Sequence, residues 1–404
     1  MSQAPPISGH ALRERFLRFF EAKGHPRVSS DGLVPHDDPT VLFTSAGMNQ
    51  FKPYFLGKRE GLSRATSCQK CLRIGDLDHI RQLKGHHTFF EMLGNFSFGD
   101  YFKREAIEWG WEFLTGTLDY AGRKRSAQPE LCLQLSPADL WVSVYTEDRD
   151  AADVWHKHMG VPTEKIRPLG AQDNFWPSNA PADGPNGPCG PCSEIYVHRD
   201  GRDLEIWNLV FTQFDRQEGG TLIPFPKPNI DTGMGLERLT QVVQGATYDY
   251  ETDLFAPIVH ALMAHFHVGV EALRDPQQDL GSLYTMVDHL RASVFLLGDH
   301  VLPSNEERGY IVRMLIRRAH WHGGRLLQDR GSRAHLTPFL RDAAVSVIDA
   351  YRQPYPQLEE QRAFILDALQ AEEERFAETL EVGNDRIAQE LHRLKARKAQ
   401  VVPG

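Results

Sequence analysis

The chain reads as an α+β protein, an antiparallel sheet flanked by helices and followed by an all-helical domain, and three observations predict this. Short apolar runs bounded by proline and glycine turns recur up to about residue 214, as they do in antiparallel strands. Strands and helices do not alternate strictly along that stretch, which argues against a doubly wound parallel sheet. After about Tyr250 the strand texture disappears and only helical periodicity remains. With 404 residues the chain can bury two or three cores. We expect one domain over 1–248 and a helical one over 249–404.

In chain order, Leu12–Lys23 carries Leu12, Phe16, Phe19 and Phe20 on one side of a helix stopped by Gly24 and Pro26. From Val28 to about Phe55, pieces such as Thr40–Thr44 predict short antiparallel strands. Arg64–Arg73 and His86–Phe98 read as a hairpin with a cationic arm and an aromatic arm. Further strands are expected at Leu140–Tyr145, Glu194–Val197 and Leu204–Phe214, with helices at Lys103–Thr115 and Asp150–His158. Pro228–Ile230 leads into Asp231–Arg238, and Leu236, Leu239, Val242 and Val243 recur at helical spacing, so a helix begins near Gly235. The helical half comprises Leu254–His267, Leu283–Leu297, Glu306–His322, Pro338–Tyr351 and Leu358–Lys398. Ser304–Glu307 fits a capping box for the third of these, and Gly323–Gly324 is expected to end it.

Composition excludes several classes. A hydrophobic fraction of 41% with 10% aromatics is that of an ordinary globular protein. No run of about 18 apolar residues occurs, and the first residues lack a basic and then apolar signal, so no membrane partner and a cytoplasmic location are expected. Five cysteines, four of them in two Cys-x-x-Cys pairs, suit a reducing compartment. The net charge of −9 is no nucleic-acid signature, yet Arg308–Arg333 holds seven arginines against one acid, Asp329. An acidic body with one basic helix permits a local phosphate contact.

Two stretches carry chemistry. Asp231-Thr-Gly-Met-Gly-Leu-Glu-Arg238 places a carboxylate and a guanidinium around a glycine-bearing turn, where a substrate with both an ammonium and a phosphate could bind. Taken alone, the stretch reads more simply as Asp231 capping the helix and Arg238 sitting in solvent. In the hairpin, Arg73 offers a planar fork of donors for phosphate and carboxylate together. Phe90, or else Phe89, could stack on a purine, and strand alternation lets only one of them face the cleft.

Thr88–Phe102, Gly187-Pro-Cys-Gly-Pro-Cys-Ser-Glu194, Glu205-Ile-Trp-Asn208 and Asp231–Arg238 together resemble the alanyl-tRNA synthetases, over nearly the whole chain. The resemblance implies a class II synthetase sheet that holds ATP in a bent conformation, with a helical tRNA-recognition domain behind it. By that resemblance Arg73 grips the ATP α-phosphate and the amino-acid carboxylate. Arg238 covers an adenine packed on Phe90, with Gly235 at the nucleotide. Asp231 takes the substrate ammonium, and Gly233, Trp176, Asn208 and Val210 shape a pocket for L-alanine. Asn208 and Val210 share one face of their strand, as such a pocket needs. One methyl is worth only about 1–3 kcal/mol of discrimination, so serine and glycine are poorly excluded. Mg2+ accompanies the ATP, with Glu205 as a candidate ligand. Asn305, Arg313, Arg317 and Arg318 are the expected contacts to the acceptor stem of tRNA(Ala), Asn305 at a base edge and the arginines at phosphates.

The resemblance also sets limits. Family members ordinarily continue into the rest of the recognition region, an editing domain and a C-terminal segment, so this sequence corresponds to the catalytic part and some of the recognition part. A synthetase-like enzyme with a non-tRNA acceptor, or a silent tRNA-binding relative, remain as alternatives, although retention of Arg73, Asn208, Asp231 and Arg238 argues against a silent one. Four thiolates from Cys68, Cys71, Cys189 and Cys192 could close a tetrahedral zinc site. The pairs are about 120 residues apart and fall in motifs expected to line the active site, so no zinc site is expected.

Overall fold

The computed structural model describes residues 7–36, 41–75, 80, 85–274, 279–329 and 336–396. Contacts divide the chain into one unit of residues 1–74 and 89–254, and a second of 75–88 and 255–404.

The first unit opens with α1 (Gly9–Ala22), whose N-terminus is capped by Ser8, and the short α2 (Lys52–Phe55). Then come β1 (Arg64–Leu72), β2 (Phe89–Ser97), α3 (Lys103–Thr115), β3 (Leu140–Tyr145), α4 (Arg149–Asp153), β4 (Ile166–Leu169), α5 (Ala171–Asn174) and β5 (Phe175–Trp176). The unit closes with β6 (Gly187–Arg199), β7 (Arg202–Arg216), β8 (Leu222–Gly235) and α6 (Leu236–Gln244). The strands form one sheet ordered β1-β2-β8-β7-β6-β3-β4, with β5 paired to β6 off that path.

The expected class is the one observed. Every neighbouring pair is antiparallel except β3–β4. A parallel pair needs a crossover, and α4 with the π-helical turn Val154–His158 supplies it. The single helix expected at Asp150–His158 is therefore divided in two.

Alternation along β7 assigns its two faces. Trp207, Leu209 and Phe211 are fully buried and point at α1 and α3. Phe16, Phe113 and Phe20 surround Trp207 with ring centroids at 5.6, 6.0 and 6.2 Å. Asn208 and Val210 point the other way.

The strands expected between Val28 and Phe55 do not form among the described residues; Thr40 lies outside them. An isolated bridge joins Arg27 to Thr66, Thr44 N donates to Leu33 O at 2.9 Å, and Asn49–Phe51 is a single 3-10 turn running into α2. The apolar side chains here pack instead of building a ladder: Phe51 lies 4.5 Å from Phe96 and 5.5 Å from Phe98, ring to ring.

The second unit contains α7 (Ala256–His265), α8 (Gly281–Gly298), α9 (Glu307–Asp329), α10 (Leu340–Tyr351), α11 (Gln357–Glu360) and α12 (Arg362–Ala396). Nearly every side chain of α8 is buried, with α7, α9, α10 and α12 around it. Glu373 of α12 is fully buried and accepts from the backbone N–H groups of Phe339 and Leu340, so a carboxylate from another helix caps α10. Helix α9 does not stop at Gly323–Gly324 but continues to Asp329. A Cβ on Gly323 would meet Phe339, Leu336 and Phe266 at 2.9–3.0 Å, so this glycine serves close packing and not termination. Ser304 Oγ bonds the backbone of Glu306 in place of the expected capping box. Arg330, Arg333 and Lys398 lie outside the described residues. No helix among the described residues is long and apolar enough to cross a membrane.

Candidate active site

Strand register arranges side chains in rows on the face turned away from α1 and α3. Asp231 on β8 stands opposite Val210 on β7, which stands opposite Cys192 on β6. One step along, Gly233 stands opposite Asn208, and Asn208 opposite Glu194. Directly opposed residues of antiparallel strands project to the same side. All six positions therefore share one surface. Met92, opposite Gly235 and Gln69, continues it onto β2 and β1.

Arg73 follows the last residue of β1. Its guanidinium lies 5.0 Å from the Phe90 ring centroid, and its Nε donates to Ser45 O at 3.1 Å. Phe90 is half-buried while Phe89 is 1% exposed in the core, so alternation turns Phe90 and not Phe89 toward the arginine. On the far side of the row, Arg238 lies in the first turn of α6, where Nη1 donates to both Glu205 O and Glu205 Oε2 at 3.0 Å.

Asp231 is a buried strand residue and caps no helix; α6 starts from Gly235. Among the described residues no hydrogen bond or ion pair reaches its carboxylate, and burial pushes its pKa up to about 7. An ammonium placed there would restore the charged form. Glu194 is also pushed up to about 7, chiefly by burial and then by the Glu205 charge. Gly233 cannot carry a side chain without disturbance, since a Cβ would come within 2.9 Å of Met92 Sδ. A Cβ on Gly235 would make only ordinary contact with Arg238. Trp176 on β5 pairs with Gly190 and packs against the cluster of Met48, Phe51 and Phe96.

The structure thus brings Asp231, Gly233, Asn208 and Val210 together, sets Arg73 against Phe90, and ties Arg238 to Glu205. Glu194 and Met92 are not among the site residues expected from sequence. Period-two spacing from Cys192 was the one signal for Glu194; Met92 is tied to Gly233 only through the β2–β8 pairing.

The proposed RNA contacts lie in the second unit. Asn305 accepts from Arg313 Nη1. Arg313 and Arg317 both pair through Nε with Glu372 Oε1, at 3.2 and 2.8 Å, and Glu372 is 2% exposed. Arg318 Nε donates to His289 Nε2 at 3.2 Å. These arginines therefore have intramolecular work whatever else they touch.

The two Cys-x-x-Cys pairs sit on β1 and β6. Four strand steps of about 4.8 Å separate them by roughly 19 Å, too far for one tetrahedral ion. All five thiols are free and buried, and burial raises those of Cys68, Cys71, Cys189 and Cys192.

A family profile described as tRNA synthetases class II (A) matches residues 11–403. The chain belongs to this family. Among curated members of the class II synthetases, an alanine–tRNA ligase from Caldicellulosiruptor saccharolyticus is 42% identical over 415 residues, which cover 98% of this chain and 44% of that relative. The chain thus spans less than half of that relative's length. Among solved structures, a pyrrolysyl tRNA synthetase from Desulfitobacterium hafniense, PylSc, aligns over 61% of this chain and 73% of that one at 12% identity, with a TM-score of 0.29.

Proposed function

We propose that this class II synthetase chain activates L-alanine with ATP to give alanyl adenylate and passes the alanyl group to the 3′ end of tRNA(Ala). One observation carries the reading. A buried, unpaired carboxylate, Asp231, shares a face with Asn208, Val210 and the bare backbone of Gly233, in the same sheet as the Arg73–Phe90 pair. Asp231 takes the ammonium, and Val210 and Trp176 are the side chains assigned to the alanine methyl. Arg73 holds carboxylate and α-phosphate in line, so the carboxylate oxygen attacks phosphorus and pyrophosphate leaves without a protein nucleophile. Phe90 and Arg238 enclose the adenine. The 42% identity to a named alanine–tRNA ligase supports the choice of amino acid.

Magnesium fits this donor set. Mg2+, when bound, neutralises charge on the phosphates. Glu205 is the candidate ligand, with Oε2 already shared by Arg238. Asn305, Arg313, Arg317 and Arg318 form the proposed acceptor-stem contacts, and the five free cysteines suit a cytoplasmic setting.

Alanine-dependent exchange of pyrophosphate into ATP, compared with serine and glycine, tests the activation step; no exchange with any of the three would refute it. Charging of a tRNA bearing a G·U acceptor pair, against its G·C variant, tests the acceptor. Exchange without charging would point to a different acceptor.

A further inference from the structure

We propose that Glu194 is a positioning residue for amino-acid recognition, holding the Asn208 amide with its nitrogen turned inward so that Oδ1 faces the substrate ammonium beside Asp231. The inference rests on this face being the amino-acid site.

Glu194 is held on three sides. Tyr196 Oη donates to Oε2 at 2.7 Å, Ser143 Oγ donates to Oε2 at 3.1 Å, and Asn208 Nδ2 donates to Oε1 at 3.4 Å. Ser143 Oγ is fixed in turn, accepting from Asn174 Nδ2 at 2.8 Å and from Glu194 N at 3.2 Å. This carboxylate is thus oriented before any substrate arrives.

The consequence for Asn208 is chemical. Above about pH 7, where Glu194 is ionised and only accepts hydrogen bonds, the asparagine presents its NH2 to Glu194 and turns its carbonyl the other way. Asn208 Oδ1 is buried and accepts no hydrogen bond among the described residues. A buried unpaired acceptor is costly, and such atoms mark places where a further donor belongs. Across the strand pair from Asn208 is Gly233, which has no side chain, and Asp231 is two residues before Gly233 on the same face. One neutral and one charged acceptor around an open patch of backbone suit an ammonium, which has three donors.

Asp231 titrates in the same range as Glu194, and Tyr196, Glu205 and Asp173 also face Glu194, so a pH profile alone does not isolate its role. A double-mutant cycle does. KM for alanine and for ATP is measured by pyrophosphate exchange at pH 8 for the unaltered chain, Glu194→Gln, Asn208→Ala and the double variant. Gln can offer either end of its amide to Asn208, so the orientation is lost; KM for alanine rises about tenfold while KM for ATP stays within about twofold. The double variant is no worse than Asn208→Ala alone. Independent effects of the two substitutions, an equal rise in both KM values, or an unchanged KM for alanine overturn the proposal. Should Glu194→Gln fail to fold, Tyr196→Phe, which removes one donor to the same carboxylate, raises KM for alanine in the same selective way, and its failure to do so is equally decisive. An unaltered chain with no exchange would overturn the amino-acid reading itself.

Discussion

Arg238 and Glu205 are joined twice, the guanidinium reaching both the backbone carbonyl and a carboxylate oxygen at 3.0 Å. The arginine proposed to cover the adenine is thereby set in place by the residue proposed to bind magnesium. Glu205→Ala is expected to raise KM for ATP about fivefold to tenfold, with a smaller effect on KM for alanine. A magnesium titration separates the two roles: an unchanged Mg2+ midpoint assigns Glu205 to Arg238, and a shifted midpoint assigns it to the metal.

Asp231 is buried and raised by that burial, as a carboxylate reserved for the proposed ammonium would be. Asp231→Asn keeps the shape and removes the charge, so exchange is expected to fall by at least about 100-fold while stability at pH 8 rises by about 1–3 kcal/mol, because a buried carboxylate is no longer ionised without a partner. Urea unfolding beside exchange kinetics checks both halves. A loss of activity accompanied by a loss of stability would contradict the assignment.

The two raised carboxyls give a pH dependence with a definite sign. Asp231 and Glu194 titrate near 7 in the folded chain, above the ordinary values of 3.8 and 4.5. Between about pH 4 and 7 the folded state therefore holds more protons than the unfolded one, and the stability owed to these groups falls as pH rises through that window. Affinity runs the other way, with KM for alanine rising as pH drops below about 7. Unfolding at pH 5 and pH 8, compared with a variant carrying both Asp231→Asn and Glu194→Gln, isolates the effect. Saturating alanine should flatten the stability slope, since an ammonium favours the ionised form.

Glu372 is the hub of the basic helix. Replacing Arg313 and Arg317 together by alanine removes two partners of a nearly buried carboxylate and is expected to cost about 2–4 kcal/mol, visible as a lowered unfolding midpoint. Adding Glu372→Gln should recover most of that stability. Charging that stays weak in the recovered variant, with reduced salt dependence, would show RNA contact apart from folding.

Much of the architecture was legible in short-range pattern. Leu140–Tyr145 and Lys103–Thr115 appear with the expected bounds, because alternation and helical periodicity act within one element. Where the outcome depended on a distant partner, the pattern misled. Residues 28–55 look strand-like, yet Phe51 and Phe55 pack onto other elements and form no ladder. Gly323–Gly324 looks like a helix end, but Phe266 and Phe339 press on Gly323 from elsewhere in the unit. Within its own stretch Asp231 reads as a helix cap, and only its pairing with Val210 shows it to be a strand residue. Glu194 gained meaning only through its register with Asn208, which local sequence does not specify.

The parity of β7 separates two kinds of inheritance in this chain. Trp207, Leu209 and Phe211 answer to α1 and α3, whereas Asn208 and Val210 face the side on which the amino acid is proposed to bind. Residues adjacent in sequence are thus under unrelated demands. A change of amino-acid preference could arise at even-numbered positions of this stretch without renegotiating the packing beneath, so the same scaffold can be re-specified one face at a time.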